Sequence, residues 1–80
     1  MESMSLYDAP ANIELLVDDI LAGREAKRRL LSIGIRQSDI VMKLNSPPWG
    51  AILVKNITTG STKLAVGRNL AGKIMVKYEA

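Results

Sequence analysis

Hydrophobic and polar residues alternate with a period of two along five stretches of the chain, residues 12–21, 38–45, 51–57, 62–66 and 73–78. Successive side chains leave a strand on opposite faces, so this alternation predicts five half-buried strands. In the first, Ile13, Leu15 and Val17 alternate with Glu14 and Asp18; in the second, Ile40, Met42 and Leu44 alternate with Lys43 and Asn45; in the last, Ile74, Val76 and Tyr78 stand against Lys73 and Lys77. Between the third and fourth strands, Thr58-Thr59-Gly60 is a hairpin connection in which the glycine takes a positive φ at little steric cost.

The period changes once. Over residues 24–33, Ala26, Leu30 and Ile33 recur at spacings of four and three, which places them on one face of a short helix. Gly23 breaks the preceding strand, and Gly34 stands where a left-handed C-cap is wanted. Leu31 lies about 100–140° from the apolar stripe by helical geometry and is expected to be exposed. Pro47-Pro48-Trp49-Gly50 lacks two ladder donors and reads as a rigid loop. The glycine-bounded segment Gly67-Arg68-Asn69-Leu70-Ala71-Gly72 has room for one helical turn. Five short strands cannot bury themselves as a flat sheet, whereas closing them into a small barrel removes most exposed edges.

Composition narrows the function more than the fold. With 80 residues, 48% of them hydrophobic, the chain has enough apolar material for one core, and we expect a single domain over 1–80 with residues 1–5 flexible. It contains no cysteine and no histidine. Thiol chemistry, imidazole bases and Cys/His zinc sites are therefore excluded, and neither an enzyme nor a cofactor-binding protein is expected. The N-terminal stretch has no cationic start and apolar run of a secretory signal, and no apolar run approaches the ~20 residues that span a bilayer, so a cytoplasmic location is expected. The net charge of +3 is segregated: residues 1–23 carry five acids and no base, and residues 24–80 carry eleven bases and three acids. Such asymmetry steers association with an oppositely charged surface.

Three motifs suggest chemistry without completing it. Gly67 to Lys73 fits G-x-x-x-x-G-K, but Ile74 stands where a P-loop needs Ser or Thr for Mg²⁺, and a strand follows where a long helix should. Glu14 and Asp18 on one strand face would be about 13 Å apart, too far for paired carboxylate chemistry. Arg24, Lys27, Arg28 and Arg29, with Arg36 behind them, could meet nucleic-acid phosphates, yet Tyr7, Trp49 and Tyr78 are the only aromatics and offer no stacking platform. A nucleic-acid-binding barrel is kept as the alternative, and so is an SH3-like regulatory or dimerisation module.

Two segments carry a family resemblance. Arg28-Arg29-Leu30-Leu31-Ser32-Ile33-Gly34-Ile35 resembles the R-L-x-x-L-G-L signature of FeoA-type ferrous iron transport proteins, in which a short helix ends in glycine and feeds the second strand. The run from Leu64 to Val76 resembles the closing pattern of that family, an apolar strand, a short turn with an alanine and a final I-x-V. Two turns depart from it: Pro10-Ala11 and Gln37-Ser38 stand where many members have Pro-Gly. The resemblance implies a mainly β, small SH3-like barrel of about five strands, with one short helix between the first two strands and a helical turn before the last. It also implies a cytoplasmic accessory role in ferrous iron uptake through contact with the FeoB-type GTPase permease. The chain would then be peripheral to the membrane only through that partner, with no nucleic acid expected and at most weak homo-oligomerisation. Without His or Cys, tight iron binding by the chain alone is disfavoured. The contact surface expected from this reading is Arg28, Leu31 and Ile35 on the helix and its exit, with Trp49 in the adjoining loop.

Overall fold

The computed structural model describes residues 2–21, 23–45 and 50–78. Six strands and two helices follow one another as β1 (Glu2–Ser5), β2 (Glu14–Ile20), α1 (Arg24–Ile33), β3 (Ile40–Lys43), β4 (Ile52–Asn56), β5 (Ser61–Val66), α2 (Arg68–Ala71) and β6 (Ile74–Tyr78). All neighbouring strands are antiparallel in one sheet of order β1-β6-β2-β3-β4-β5. One face of this sheet supplies Leu15, Val17, Val41, Val54, Val66 and Val76, each at most 1% exposed. A ten-residue helix cannot shield so much apolar surface, so the sheet curls over its own inner face into the small barrel that the strand pattern implied.

Three features depart from the periodicity. First, the expected flexible N-terminus is a strand: β1 lies along β6, with Met4 opposite Val76. Its sequence, ESMS, has one apolar residue and no readable alternation. The strand exists because β6 offers a free edge and because Leu6, just beyond it, is fully buried and donates its N–H to the Ile74 carbonyl at 2.8 Å. Second, β2 keeps its alternation only as far as Val17. A register shift against β6 between Val17 and Asp19 allows Ile20 to return to the core while both aspartates stay outside it.

Third, the phase of β3 is the reverse of the expected one. Val41 and Lys43 point inward, whereas Ile40 and Met42 are only partly buried. Counting apolar residues favoured the other face. Register decides instead: Leu15 on the inner face of β2 is paired with Val41, and Val54 on the inner face of β4 is paired with Lys43. A shift of one residue would turn the whole strand over, and the neighbours fix it.

The turn into β3 shows what one of the family departures does. The Asp39 N–H donates to the Arg36 carbonyl at 3.1 Å, closing a four-residue turn whose third residue, Ser38, has φ 78°. Glycine is favoured at such a position because a Cβ there is strained. Ser38→Gly is therefore expected to raise stability by about 0.5–1 kcal/mol, the relief of left-handed strain less the added backbone entropy of glycine, or ~4 °C in Tm. Thermal unfolding by circular dichroism checks this; an unchanged or lower Tm would show that the turn is unstrained.

Candidate functional site

Helix α1 starts without a side-chain cap at Gly23 and ends at Gly34, whose φ of 109° lets its N–H reach the Leu30 and Leu31 carbonyls. Ile35 then donates to the Leu30 carbonyl at 2.9 Å, which turns the chain sharply toward β3. Leu30 is the fully buried residue of the helix and fixes which side faces the barrel. Leu31, the next residue, is consequently turned outward and is 56% exposed. Among the described residues Leu21, at 60%, and Leu31 are the large apolar side chains left exposed. A single exposed leucine is ordinary, and what distinguishes Leu31 is the cleft and the charges around it.

Around Leu31 lies a cleft of about 260 Å³ lined by Ile20, Lys27, Ile35, Arg36 and Gln37 as well as Leu31 itself. Arg28, three residues before Leu31, is its neighbour on the helix surface and is exposed. Gln37 is tied down by donating from Nε2 to the Asp18 carbonyl at 2.9 Å. Among the described residues one ion pair occurs, Lys77 to Asp18 at 3.4 Å, and Lys27, Arg28 and Arg36 take part in none there. The result is an apolar knob in a cationic rim. Chemically it suits an apolar socket edged by carboxylates.

Of the four residues expected to form a contact surface, Arg28 and Leu31 are brought together on α1. Ile35 is 0% exposed, so it supports the cleft from beneath and does not present its side chain to a partner. The reason is the reversal at Gly34, which drives the residue after it into the core. Trp49 lies outside the described residues. The cleft also includes Ile20, Lys27, Arg36 and Gln37, which the sequence alone did not place there. Lys27 and Arg36 could have been noticed as cations flanking Leu31, but nothing local marks Ile20 or Gln37.

The foot of the helix is braced by a buried polar network. Asn56 on β4, fully buried, donates from Nδ2 to the Gly34 carbonyl at 2.7 Å and to Oδ2 of Asp39 at 2.9 Å, and its Oδ1 accepts the Thr59 N–H at 3.3 Å. The same Asp39 oxygen accepts the Arg36 N–H at 3.0 Å. The end of α1, the turn into β3 and the β4 hairpin are thereby joined at one point. The segment resembling a P-loop is differently built: α2 has four residues and leads straight into β6. Glu14 and Asp18 form no metal cluster; among the described residues no group of three or more potential ligands of the His, Cys, Asp or Glu type converges. No helix there is long and apolar enough to cross a membrane.

This arrangement, a short helix ending in glycine and packed on a curled six-stranded sheet, can be compared with known proteins. The model of the FeoA domain matches residues 4–78. The chain belongs to the FeoA family. A crystal structure of an iron uptake regulatory protein (FeoA) superposes with a TM-score of 0.84 at 29% identity, covering 95% of this chain and 97% of that one. A FeoA protein from Chlorobium tepidum gives 0.77 at 26% identity, covering 96% of this chain and 71% of that one. A FeoA-like protein from Clostridium acetobutylicum gives 0.80 at 15% identity, over 100% of this chain and 91% of that one, and speaks to the fold alone. No curated protein sequence matches significantly. The fold of this FeoA-family chain is thus the mainly β, SH3-like one expected, with six strands in place of about five.

Proposed function

We propose that this FeoA-family chain is an accessory protein of ferrous iron uptake, acting in the cytoplasm by direct contact with the FeoB-type GTPase permease and performing no catalytic step itself. The observation that carries the reading is the exposed Leu31 in its cationic rim, on the segment of α1 that bears the family signature. The description of its solved relative as an iron uptake regulatory protein supports the iron role. Leu31 acts as the anchor, and Arg28, Lys27 and Arg36 select an acidic surround. Iron does not need to bind this chain for that role.

Titration of the chain against the cytoplasmic part of its cognate permease tests the proposal. Wild type is expected to bind saturably and more weakly as salt rises, because the rim charges are screened. Leu31→Asp, which sets an unpaired carboxylate in the centre of the contact, is expected to lose about 100-fold or more in affinity. Arg28→Ala should cost less. If wild type and Leu31→Asp bind equally, contact through this face is wrong.

A further inference from the structure

A second cleft opens on the other side of α1 and is unrelated to the partner contact proposed above. It has a volume of about 680 Å³ and is bounded by Arg29, Ser32 and Ile33 of α1 and by Gly67, Arg68, Asn69 and Leu70 around α2. Arg29 is two residues from Leu31, about 200° round the helix, so the two clefts open in different directions. The volume is in the range of small-molecule sites, which for most proteins lies at roughly 300–1,000 Å³.

The lining has an unusual balance. Arginines from two different elements, Arg29 and Arg68, line it, and no acid does. Neither arginine forms an ion pair among the described residues. The guanidinium carbon of Arg68 lies 5.5 Å from the centroid of the Tyr7 ring at the border of the cleft, a weak contact that a dianionic ligand can outcompete. Ile33 and Leu70, both partly buried against the core, supply apolar surface. The Asn69 amide and the Ser32 hydroxyl add polar groups, although the hydroxyl at present donates to the Arg28 carbonyl at 3.2 Å.

From this we propose that the cleft between α1 and α2 is a binding site for a small phosphate monoester whose organic part is apolar or aromatic. Two separate guanidiniums match a group carrying about −1.5 to −2 charges, whereas a carboxylate would leave one of them uncompensated. The apolar surface of Ile33 and Leu70 takes the organic part. The site is not a P-loop, because no glycine-rich backbone cradle leads into a long helix; recognition is by side chains from two elements that only the fold brings together.

The test is a series of ¹⁵N–¹H correlation titrations of the full chain with four probes: phenyl phosphate, inorganic phosphate, benzoate and phenol. Phenyl phosphate is expected to bind saturably, with shifts concentrated at Arg29, Ser32, Arg68, Asn69 and Leu70, and about tenfold tighter than any of the other three. Arg29→Ala and Arg68→Ala should each weaken it about tenfold. Arg29 is exposed and away from the core, so its variant stays folded even if loss of the Arg68–Tyr7 contact disturbs α2. Equal binding of benzoate would make the cleft a carboxylate site and overturn the assignment. So would shifts scattered over the basic surface, or an Arg29→Ala variant that binds like wild type.

Discussion

Lys43→Ala is expected to lower the free energy of unfolding by about 3 kcal/mol, a large part of the ~4–12 kcal/mol available to a chain of this length. Lys43 is only 2% exposed, and its Nζ donates to the Tyr7 carbonyl at 2.6 Å and to the Ala9 carbonyl at 2.8 Å. The ammonium therefore fastens the turn after β1 to the middle of the sheet, while its methylene stem fills the space below. Alanine would leave two carbonyls without a donor and a void where the stem had been. A fall in Tm of roughly 12–24 °C follows from the usual scaling for small domains. Chemical denaturation measures the difference directly, and a loss under about 1 kcal/mol would mean that water replaces the ammonium without penalty.

The same lysine gives a pH dependence with a definite sign. Burial lowers its pKa from the usual 10.5, and the nearby Asp8 carboxylate opposes that shift only in part. Between the lowered folded value and 10.5 the unfolded chain holds more protons than the folded one, so this residue makes stability rise with pH across that window. Below the window its burden on the fold is fully present. Lys43→Met keeps the stem and removes the charge. The advantage of wild type over that variant is expected to grow as pH is raised through the alkaline range, and a flat difference would contradict the burial argument.

Asn56→Ala should cost nearly as much, about 2–4 kcal/mol, for a different reason. It strips a donor from a buried carboxylate, Asp39, and from the Gly34 carbonyl, and an acceptor from the Thr59 N–H. Leaving one side of a buried polar network unpaired costs far more than its net contribution when intact. Because Gly34 and Arg36 both belong to the exit of α1, the loss should be felt locally before the barrel opens. Amide hydrogen exchange is expected to speed up at residues 34–39 by more than in the sheet partners of β6. Uniform acceleration would assign Asn56 to global stability alone.

The legible and illegible parts of the chain divide along a physical line. Residues 24–33 are a helix with a glycine C-cap in both the sequence pattern and the structure, because spacing, cap and hydrogen bonds all lie within ten residues. Gly60 has φ 80° in the hairpin for the same reason, and the helical turn before the last strand is α2. Residues that depend on a neighbour distant in sequence were hidden. Lys43 looks like a surface lysine in its own strand; it is buried because Leu15 and Val54 fix the register of β3 from both sides. Ile35 resembles an exposed exit residue, and the turn at Gly34 buries it.

The candidate sites follow the same division. That Leu31 lies off the apolar stripe is a matter of 100° per residue, readable from the sequence, and so is the absence of His and Cys that turns attention from metal chemistry to contact. The sequence by itself determined the helix, the hairpin, the alternation of the strands and the outward leucine, since each is set by the geometry of a short stretch of backbone. Only the tertiary structure decided which face of β3 is inside, that residues 2–5 form a strand, that Ile20 and Gln37 border Leu31, and that Arg29 and Arg68 share a cleft. Those outcomes depend on strand register and on how the curled sheet brings α1 to α2, and neither is written in any one segment.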